Sequence, residues 1–233
     1  MEPMLSLQNI SKTFDDLKVL DHMNLGVGRG EIVALVGPSG SGKTTLLNII
    51  SGIEQADHGG VHFDGQKISY MFQDPRLLPW KTVAENILLV NSVKNIEAMR
   101  FWLRAVGLEQ FEHYYPAQLS GGMARRCALA RAFYYGGDFF LMDEPFSGLD
   151  YGLRMEMIDI LLNIWKNNRP GILFVTHEID EALTVASRIV LIGGKPTHDI
   201  QNLVLPGLEG RNPALPELSP YRQTIINAVS QRY

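Results

Sequence analysis

A glycine-rich segment between an apolar run and a helical pattern constrains the fold of this chain more than any other feature. Residues 31–36 form a largely apolar run, and residues 43–51 have the pattern of a helix closed by Gly52. The segment between them fits the pattern G-x-x-x-x-G-K-[ST] and reads Gly37-Pro38-Ser39-Gly40-Ser41-Gly42-Lys43-Thr44. Glycines let backbone N–H groups turn toward an oxyanion, and the helix N-terminus adds a favourable dipole. The sequence therefore predicts a buried strand, a phosphate-binding loop and a helix, in that order.

Three side chains at the end of this loop fit a nucleoside triphosphate and its metal ion. Lys43 is placed to reach the β- and γ-phosphates, and the hydroxyl of Thr44 is expected to bind Mg²⁺. Thr45 follows at the helix N-terminus, where backbone N–H groups face phosphate. The alternative is a glycine-rich turn that matches by chance, and the flanking strand and helix argue against it.

An acidic pair lies 100 residues after Lys43. Residues 139–142 form an apolar strand pattern that ends in Asp143, and a buried parallel strand places such a residue at the carboxyl edge of its sheet, beside the loop. We expect Asp143 to hold the Mg²⁺ shell and Glu144 to act as the general base that polarises the attacking water. Alone, Asp143 would be read as a turn residue at a strand end. Together with the loop it predicts binding of ATP or GTP and hydrolysis.

The N-terminal part of the chain predicts an antiparallel β subdomain. Residues 5–10 alternate apolar and polar side chains, as a half-buried antiparallel strand does. A turn at Asp15 and Asp16 leads to short strands around Val19 and Leu25. Two further strands are expected at residues 61–63 and 68–72.

The remainder predicts an α/β fold of the P-loop NTPase type, with a mostly parallel sheet and a helical insertion at about residues 74–135. Helical patterns in the insertion cover residues 83–90, 96–106 and 122–134. After it come a strand, a helix, a strand, a helix and a strand at residues 139–142, 153–166, 172–176, 178–186 and 188–192. Residues 1–204 are thus expected to form the nucleotide-binding domain. Residues 205–233 are expected to form a proline-rich arm that ends in a short amphipathic helix at residues 221–229.

Composition excludes several classes of function. The net charge of −4 gives no basic footprint, so no nucleic-acid partner is expected. Cys127 is the only cysteine, which excludes an intramolecular disulfide and a cysteine metal cluster. The N-terminus lacks the charge and apolar core of a signal peptide, and no apolar run approaches the roughly 18 residues of a spanning helix. We therefore expect a soluble chain whose membrane role, if it has one, requires a partner.

The segment Leu119-Ser120-Gly121-Gly122-Met123 resembles the signature motif of ABC ATPases, usually written LSGGQ. The resemblance implies the ABC ATPase fold, with Ser120, Gly121 and Gly122 engaging the γ-phosphate held by the opposite subunit. Two chains would then enclose two nucleotides, and we expect a homodimer. Met123 departs from the usual glutamine, and we expect it to alter packing while activity is kept.

Further residues match the family in order along the chain. Gln73 stands where a loop glutamine contacts Mg²⁺ and links the core to the insertion, and His177 stands where a histidine contacts the γ-phosphate. Ser147-Gly148-Leu149-Asp150 resembles the loop that passes between the two sites, and Phe14 stands where an aromatic ring stacks on adenine. The alternatives are a solvated Gln73, a structural His177 and a core position for Phe14.

Residues 73–80 and the tail from Leu218 resemble the nitrate/sulfonate/taurine importer subfamily. This resemblance implies an integral membrane permease subunit, an extracytoplasmic solute-binding protein acting indirectly, and a location at the cytoplasmic face of the cell membrane. The solute is left open among nitrate, alkanesulfonates, taurine and a small heterocyclic precursor. The alternatives are an exporter ATPase, a regulator that does not turn over, and a soluble ABC ATPase of DNA repair or translation. A repair ATPase would carry a long coiled coil and a translation ATPase a second ATPase domain, and neither is present.

Overall fold

Two β-sheets organise the part of the chain that the computed structural model describes, which is residues 3–194, 196–207 and 211–230. The smaller sheet is antiparallel and has the order β2-β1-β4, with β1 at Leu5–Phe14, β2 at Leu17–Val27 and β4 at His58–Phe63. It confirms the predicted antiparallel subdomain. The strands expected around Val19 and Leu25 are one strand, β2, whose pairing with β1 shifts register three times.

The larger sheet carries the functional loops. Its six strands have the order β5-β6-β7-β3-β8-β9. In chain order they are β3 Ile32–Val36, β5 Ile68–Met71, β6 Phe139–Asp143, β7 Gly171–Thr176, β8 Arg188–Gly193 and β9 His198–Val204. All neighbours are parallel except β8 and β9. The predicted mostly parallel sheet is therefore confirmed.

Helices cover the larger sheet and form the insertion. The helix after the glycine-rich loop is α1 at Lys43–Ile50. The insertion holds α2 Val83–Leu88, α3 Ile96–Ala105 and α4 Gly121–Tyr135. The helices that follow are α5 Tyr151–Asn168, α6 Ile179–Val185 and α7 Ser219–Ser230. Each lies within a few residues of its predicted span. No helix among the described residues combines the length and apolar character needed to cross a bilayer.

Alternation along the central strands builds two cores on opposite faces of the larger sheet. In β3, Val33 and Leu35 pack with α1 and the smaller sheet, whereas Ile32, Ala34 and Val36 pack with the helices of the other face. β3, β6 and β7 are buried along their whole length, as strands covered on both faces are. Their carboxyl ends are thereby fixed at one edge, where the predicted site residues follow.

The described residues of the predicted arm, 205–207 and 211–230, include several that pack against the rest of the chain. Leu218 and Ile225 are fully buried in the core that contains the helical insertion. The guanidinium of Arg222 lies 2.6 Å from Asp180 of α6, and that of buried Arg211 donates to the carbonyls of Leu183 and Ala186. The predicted arm helix is α7, which begins at Ser219. Residues 208–210 and 231–233 of the predicted arm lie outside the described residues.

Candidate functional site

The glycine-rich loop joins β3 to α1, as predicted, and packing and backbone conformation require its glycines. A Cβ at Gly37 would lie 2.6 Å from the carbonyl oxygen of Ile192 on β8. Gly42 has a φ of 73°, and a Cβ there would lie 2.8 Å from Val19 Cγ1. Gly40 also has a positive φ, of 74°, with open space around it. The loop can therefore approach both its neighbours and a bound oxyanion closely.

The Lys43 side chain folds back onto the glycine-rich loop and forms hydrogen bonds with it. Its ammonium donates to the carbonyls of Gly37 and Pro38, at 2.9 and 2.7 Å, and to Ser41 Oγ at 3.3 Å. Burial lowers the pKa of Lys43, and the nearby carboxylates Glu144 and Asp143 oppose that shift. The result is a buried cation held next to two acidic groups.

Asp143 ends β6 and faces α1 across the carboxyl edge of the sheet. Thr44 Oγ1 donates a hydrogen bond of 2.6 Å to Asp143 Oδ2. Burial raises the pKa of Asp143, and the hydrogen bond from Thr44 acts in the opposite direction. A hydroxyl and a carboxylate are the hard oxygen ligands that Mg²⁺ takes, so this pair fits the ion.

Protein ligands to a metal are few in the described chain. It contains no group of three or more His, Cys, Asp or Glu that could hold a metal ion. Mg²⁺ is commonly held by one or two protein oxygens together with substrate phosphates and water, which matches the pair formed by Thr44 and Asp143. The donor set therefore fits a metal that arrives with a nucleotide.

Glu144 is held by two other predicted site residues. Gln73 Nε2 donates to Glu144 Oε2 at 3.3 Å, and Glu144 Oε1 lies 3.1 Å from His177 Nδ1. The Glu144 backbone has a φ of 49°, a left-handed conformation that is uncommon outside glycine. Its N–H donates to the carbonyl of Val175 at 2.9 Å, which fixes this turn to β7. The carboxylate is thereby positioned between an amide and an imidazole.

A single cavity of about 400 Å³ brings most of the predicted residues together. It is lined by Phe14, Val19, Ser39, Gly40, Ser41, Gly42, Lys43, Thr44, Thr45, Gln73, Asp143, Glu144 and His177. Gly37 and Pro38 are not in this lining, and their carbonyls accept hydrogen bonds from the Lys43 ammonium. Phe14 is 42% exposed at the end of β1, so a core position for it is excluded. Gln73 and His177 both contact Glu144, so neither is an isolated surface residue.

The glycine-serine turn before α4 lies apart from this cavity. Ser120 is exposed and caps α4, accepting a hydrogen bond from the Met123 N–H at 3.2 Å. Gly121 and Gly122 line a second cavity, of about 610 Å³, and a Cβ at Gly121 would meet nothing within 4 Å. Asp150 is exposed and caps α5 through Leu153 N–H, also outside the first cavity. Within one chain, Ser120, Gly121, Gly122 and Asp150 are therefore not brought to the glycine-rich loop.

Two residues near the site had no signal in the sequence. Val19 lines the first cavity because β2 folds back against the loop at Gly42. Arg125, on α4, donates to the carbonyls of Gln73 and Ser147. Both depend on contacts between distant segments, which no local pattern reveals.

Comparison with known proteins places the chain in a family. The ABC transporter family model matches residues 20–147. The chain is 38% identical to the aliphatic sulfonates import ATP-binding protein SsuB of Bacillus cereus, over 89% of each chain. It is 38% identical to SsuB 1 of Pseudomonas aeruginosa, over 100% of this chain and 99% of the relative.

Solved structures agree with this placement. The dimeric ABC transporter cassette MJ0796 superposes with a TM-score of 0.82 at 28% identity, covering 88% of this chain and all of that one. A second structure of that cassette, described as a post-hydrolysis state bound to ADP and Pi, has a TM-score of 0.79. The expectation of an ABC ATPase fold is confirmed, and the chain belongs to the ABC transporter family as an ATP-binding subunit.

Proposed function

We propose that this chain is the ATP-hydrolysing subunit of an ABC importer, which energises uptake of a small solute through a separate membrane permease. The observation that carries this proposal is the cavity in which Lys43, Thr44, Asp143 and Glu144 converge. Its residues supply a cation for phosphate, oxygen ligands for Mg²⁺ and a carboxylate for water. Relatives that cover nearly the whole chain are named as aliphatic sulfonates import ATP-binding proteins, which supports an importer of an organic sulfonate or a similar small anion. An exporter ATPase and a soluble repair or translation ATPase have no such support.

Each residue of the cavity has a task in this proposal. Lys43 and the loop from Gly37 to Thr45, through the N–H groups that all its residues except Pro38 carry, hold the phosphates. Phe14 stacks on the adenine. Thr44 and Asp143, with Gln73, hold Mg²⁺, which when bound neutralises charge on the phosphate oxygens.

Hydrolysis in this proposal depends on the group around Glu144. Glu144 accepts a proton from the attacking water as general base. His177, 3.1 Å from Glu144 Oε1, is placed to orient that carboxylate and to contact the γ-phosphate. Gln73 Nε2 donates to the other carboxylate oxygen, Oε2, and so keeps the base directed into the cavity.

The separation of Ser120, Gly121 and Gly122 from the cavity supports a homodimer. Ser120 and Gly121 are exposed, and the space around Gly121 is open. A helix N-terminus with a free hydroxyl and unhindered N–H groups is suited to a phosphate brought by another chain. Two copies arranged head to tail would complete two nucleotide sites, each with Asp150 of the neighbouring copy close by.

The helical insertion is the proposed surface for the permease. It exposes several large apolar side chains, and the structure gives them exposed fractions from 41% for Tyr114 to 81% for Val93. Trp80, which follows the Gln73 loop, is 70% exposed. Binding there would hold the chain at the cytoplasmic face of the membrane, with the extracytoplasmic solute-binding protein reached only through the permease. A nucleic-acid partner is not part of the proposal.

Purification from native membranes tests the transport claim. A tagged copy of the chain, extracted in mild detergent, should carry a multi-span membrane protein in stoichiometric amount. Trp80→Glu should lose that protein while keeping ATPase activity, and Val204→Glu, at a 70% exposed position on β9, should keep it. Recovery of soluble partners alone would contradict the importer assignment.

A further inference from the structure

We infer that Arg125 is a positioning residue that locks the Gln73 loop to the Ser147–Asp150 loop and so aligns the catalytic carboxylate. Its guanidinium reaches two backbone carbonyls in separate segments. Nη2 donates to the carbonyl of Gln73 at 3.1 Å, and Nη1 donates to the carbonyl of Ser147. These two segments are 74 residues apart in sequence, and Arg125 connects them.

Arg125 lies where a helix and two loops meet beside the first cavity. It lies on α4, five residues after the Ser120 cap, so it links three parts of the site: the start of α4, the Gln73 loop and the Ser147 loop. The Gln73 side chain in turn donates to Glu144 at 3.3 Å. A displacement of the Gln73 backbone would therefore be transmitted to the orientation of Glu144 within the cavity.

The geometry requires a planar guanidinium. Two N–H groups in fixed directions can serve two carbonyls at once, whereas an ammonium is a single point donor on a flexible stem. In the described part of the chain no carboxylate pairs with Arg125, so both contacts are to backbone oxygens. Gly148 packs beside it, since a Cβ there would lie 3.7 Å from Arg125 Nη1. Arg125 lines the second cavity with Gly121 and Gly122, and it does not line the first cavity, which contains Lys43 and Glu144.

A neighbouring arginine supplies a matched control. Arg126 Nη1 also donates to two backbone carbonyls, those of Val106 and Gly107, at 2.8 and 3.3 Å. Those carbonyls follow α3 inside the helical insertion, away from the cavity. A general weakening of α4 would affect Arg125 and Arg126 variants alike, whereas of these two residues only Arg125 contacts the Gln73 and Ser147 loops.

The first experiment measures steady-state ATP hydrolysis. Arg125→Met should lower kcat by roughly 10- to 100-fold, because small misplacements of catalytic groups have effects of that size. The KM for ATP should stay within about threefold, because Arg125 does not line the first cavity, where Lys43 and the glycine-rich loop lie. The kcat of Arg125→Lys should fall between those of the wild-type chain and Arg125→Met. The kcat of Arg126→Met should equal that of the wild-type chain. A kcat for Arg125→Met no lower than that of Arg126→Met would overturn the inference.

The second experiment does not depend on activity. Backbone hydrogen exchange of Arg125→Met should increase in both residues 73–78 and residues 147–150, and that of Arg126→Met should increase around residues 104–108 instead. Unchanged exchange in the two loops would also overturn the inference. The inference rests on the proposed ATPase activity, and the two can fail separately: an inactive wild-type chain refutes the activity, while the exchange pattern still tests the linkage.

Discussion

The side chains around the nucleotide cavity differ in burial, and the buried and the accessible ones are suited to different roles. Lys43 and Asp143 are buried at its floor, where desolvation lowers the pKa of the lysine and raises that of the aspartate. Opposite charges close together offset part of this cost. Glu144 and His177 are more accessible at the rim. The floor is therefore suited to holding phosphate and Mg²⁺, and the rim to the reaction with water.

Phe14 permits a test of base recognition by a single residue. Phe14→Ala should weaken ATP binding by roughly fivefold or more, since stacking of a base on an aromatic ring is worth about 1–3 kcal/mol. Because the ring is 42% exposed, the melting temperature should change little. Titration calorimetry on a Glu144→Gln background measures the Kd for ATP without turnover. The Phe14→Tyr variant should have the same Kd as the chain with Phe14. Equal affinity of the Ala variant would remove Phe14 from the nucleotide site.

Helix α4 has a start that faces solvent and a body that packs into the core. Ser120 and Gly121 are exposed at its first turn, while Cys127, Leu129 and Ala130 are buried. Met123, the departure from the usual motif, packs against the core of the helical insertion. Its side chain therefore contributes to packing, and the exposed first turn is left available to a second chain.

Substitutions at Ser120 separate capping from dimer closure. Ser120→Ala removes the cap and should reduce stability by about 1 kcal/mol, while leaving room for a phosphate. Ser120→Arg removes the same cap and also places bulk where the facing subunit's nucleotide would sit. Both variants should bind ATP. On a Glu144→Gln background, where the dimer is expected to persist, light scattering should show a dimer with ATP for Ser120→Ala and a monomer for Ser120→Arg. Normal dimerisation of Ser120→Arg would contradict the head-to-tail arrangement.

Elements with a strong local pattern could be predicted, and those that depend on distant partners could not. β3 is apolar throughout, and β6 and β7 are apolar up to their last residues, Asp143 and Thr176, because both faces of these strands are covered. The glycine-rich loop has a sequence pattern of its own. The sequence does not predict β9, because this strand is largely polar and pairs only with β8, at the edge of the sheet. The order of the motifs predicts the residues of the first cavity except Val19, whereas no motif spacing predicts the contacts of Arg125 with two distant loops.

In the proposed function, the molecule as a whole carries two incomplete halves of a nucleotide site. One is the cavity at the carboxyl edge of the larger sheet, and the other is the exposed start of α4. The chain belongs to a family in which the solved cassette MJ0796 is described as dimeric, including in a state bound to ADP and Pi. A dimer that closes on ATP and reopens after hydrolysis accounts for both halves.

The most direct test of this account is the oligomeric state and turnover of Glu144→Gln with ATP and Mg²⁺. Loss of the general base should reduce hydrolysis by about 10²- to 10⁴-fold while leaving the phosphate-binding groups intact. We therefore predict that light scattering will show a stable dimer with ATP and a monomer when EDTA removes Mg²⁺. The wild-type chain should form the dimer only transiently. Hydrolysis by Glu144→Gln at the wild-type rate, or an ATP-saturated variant that stays monomeric, would contradict the account.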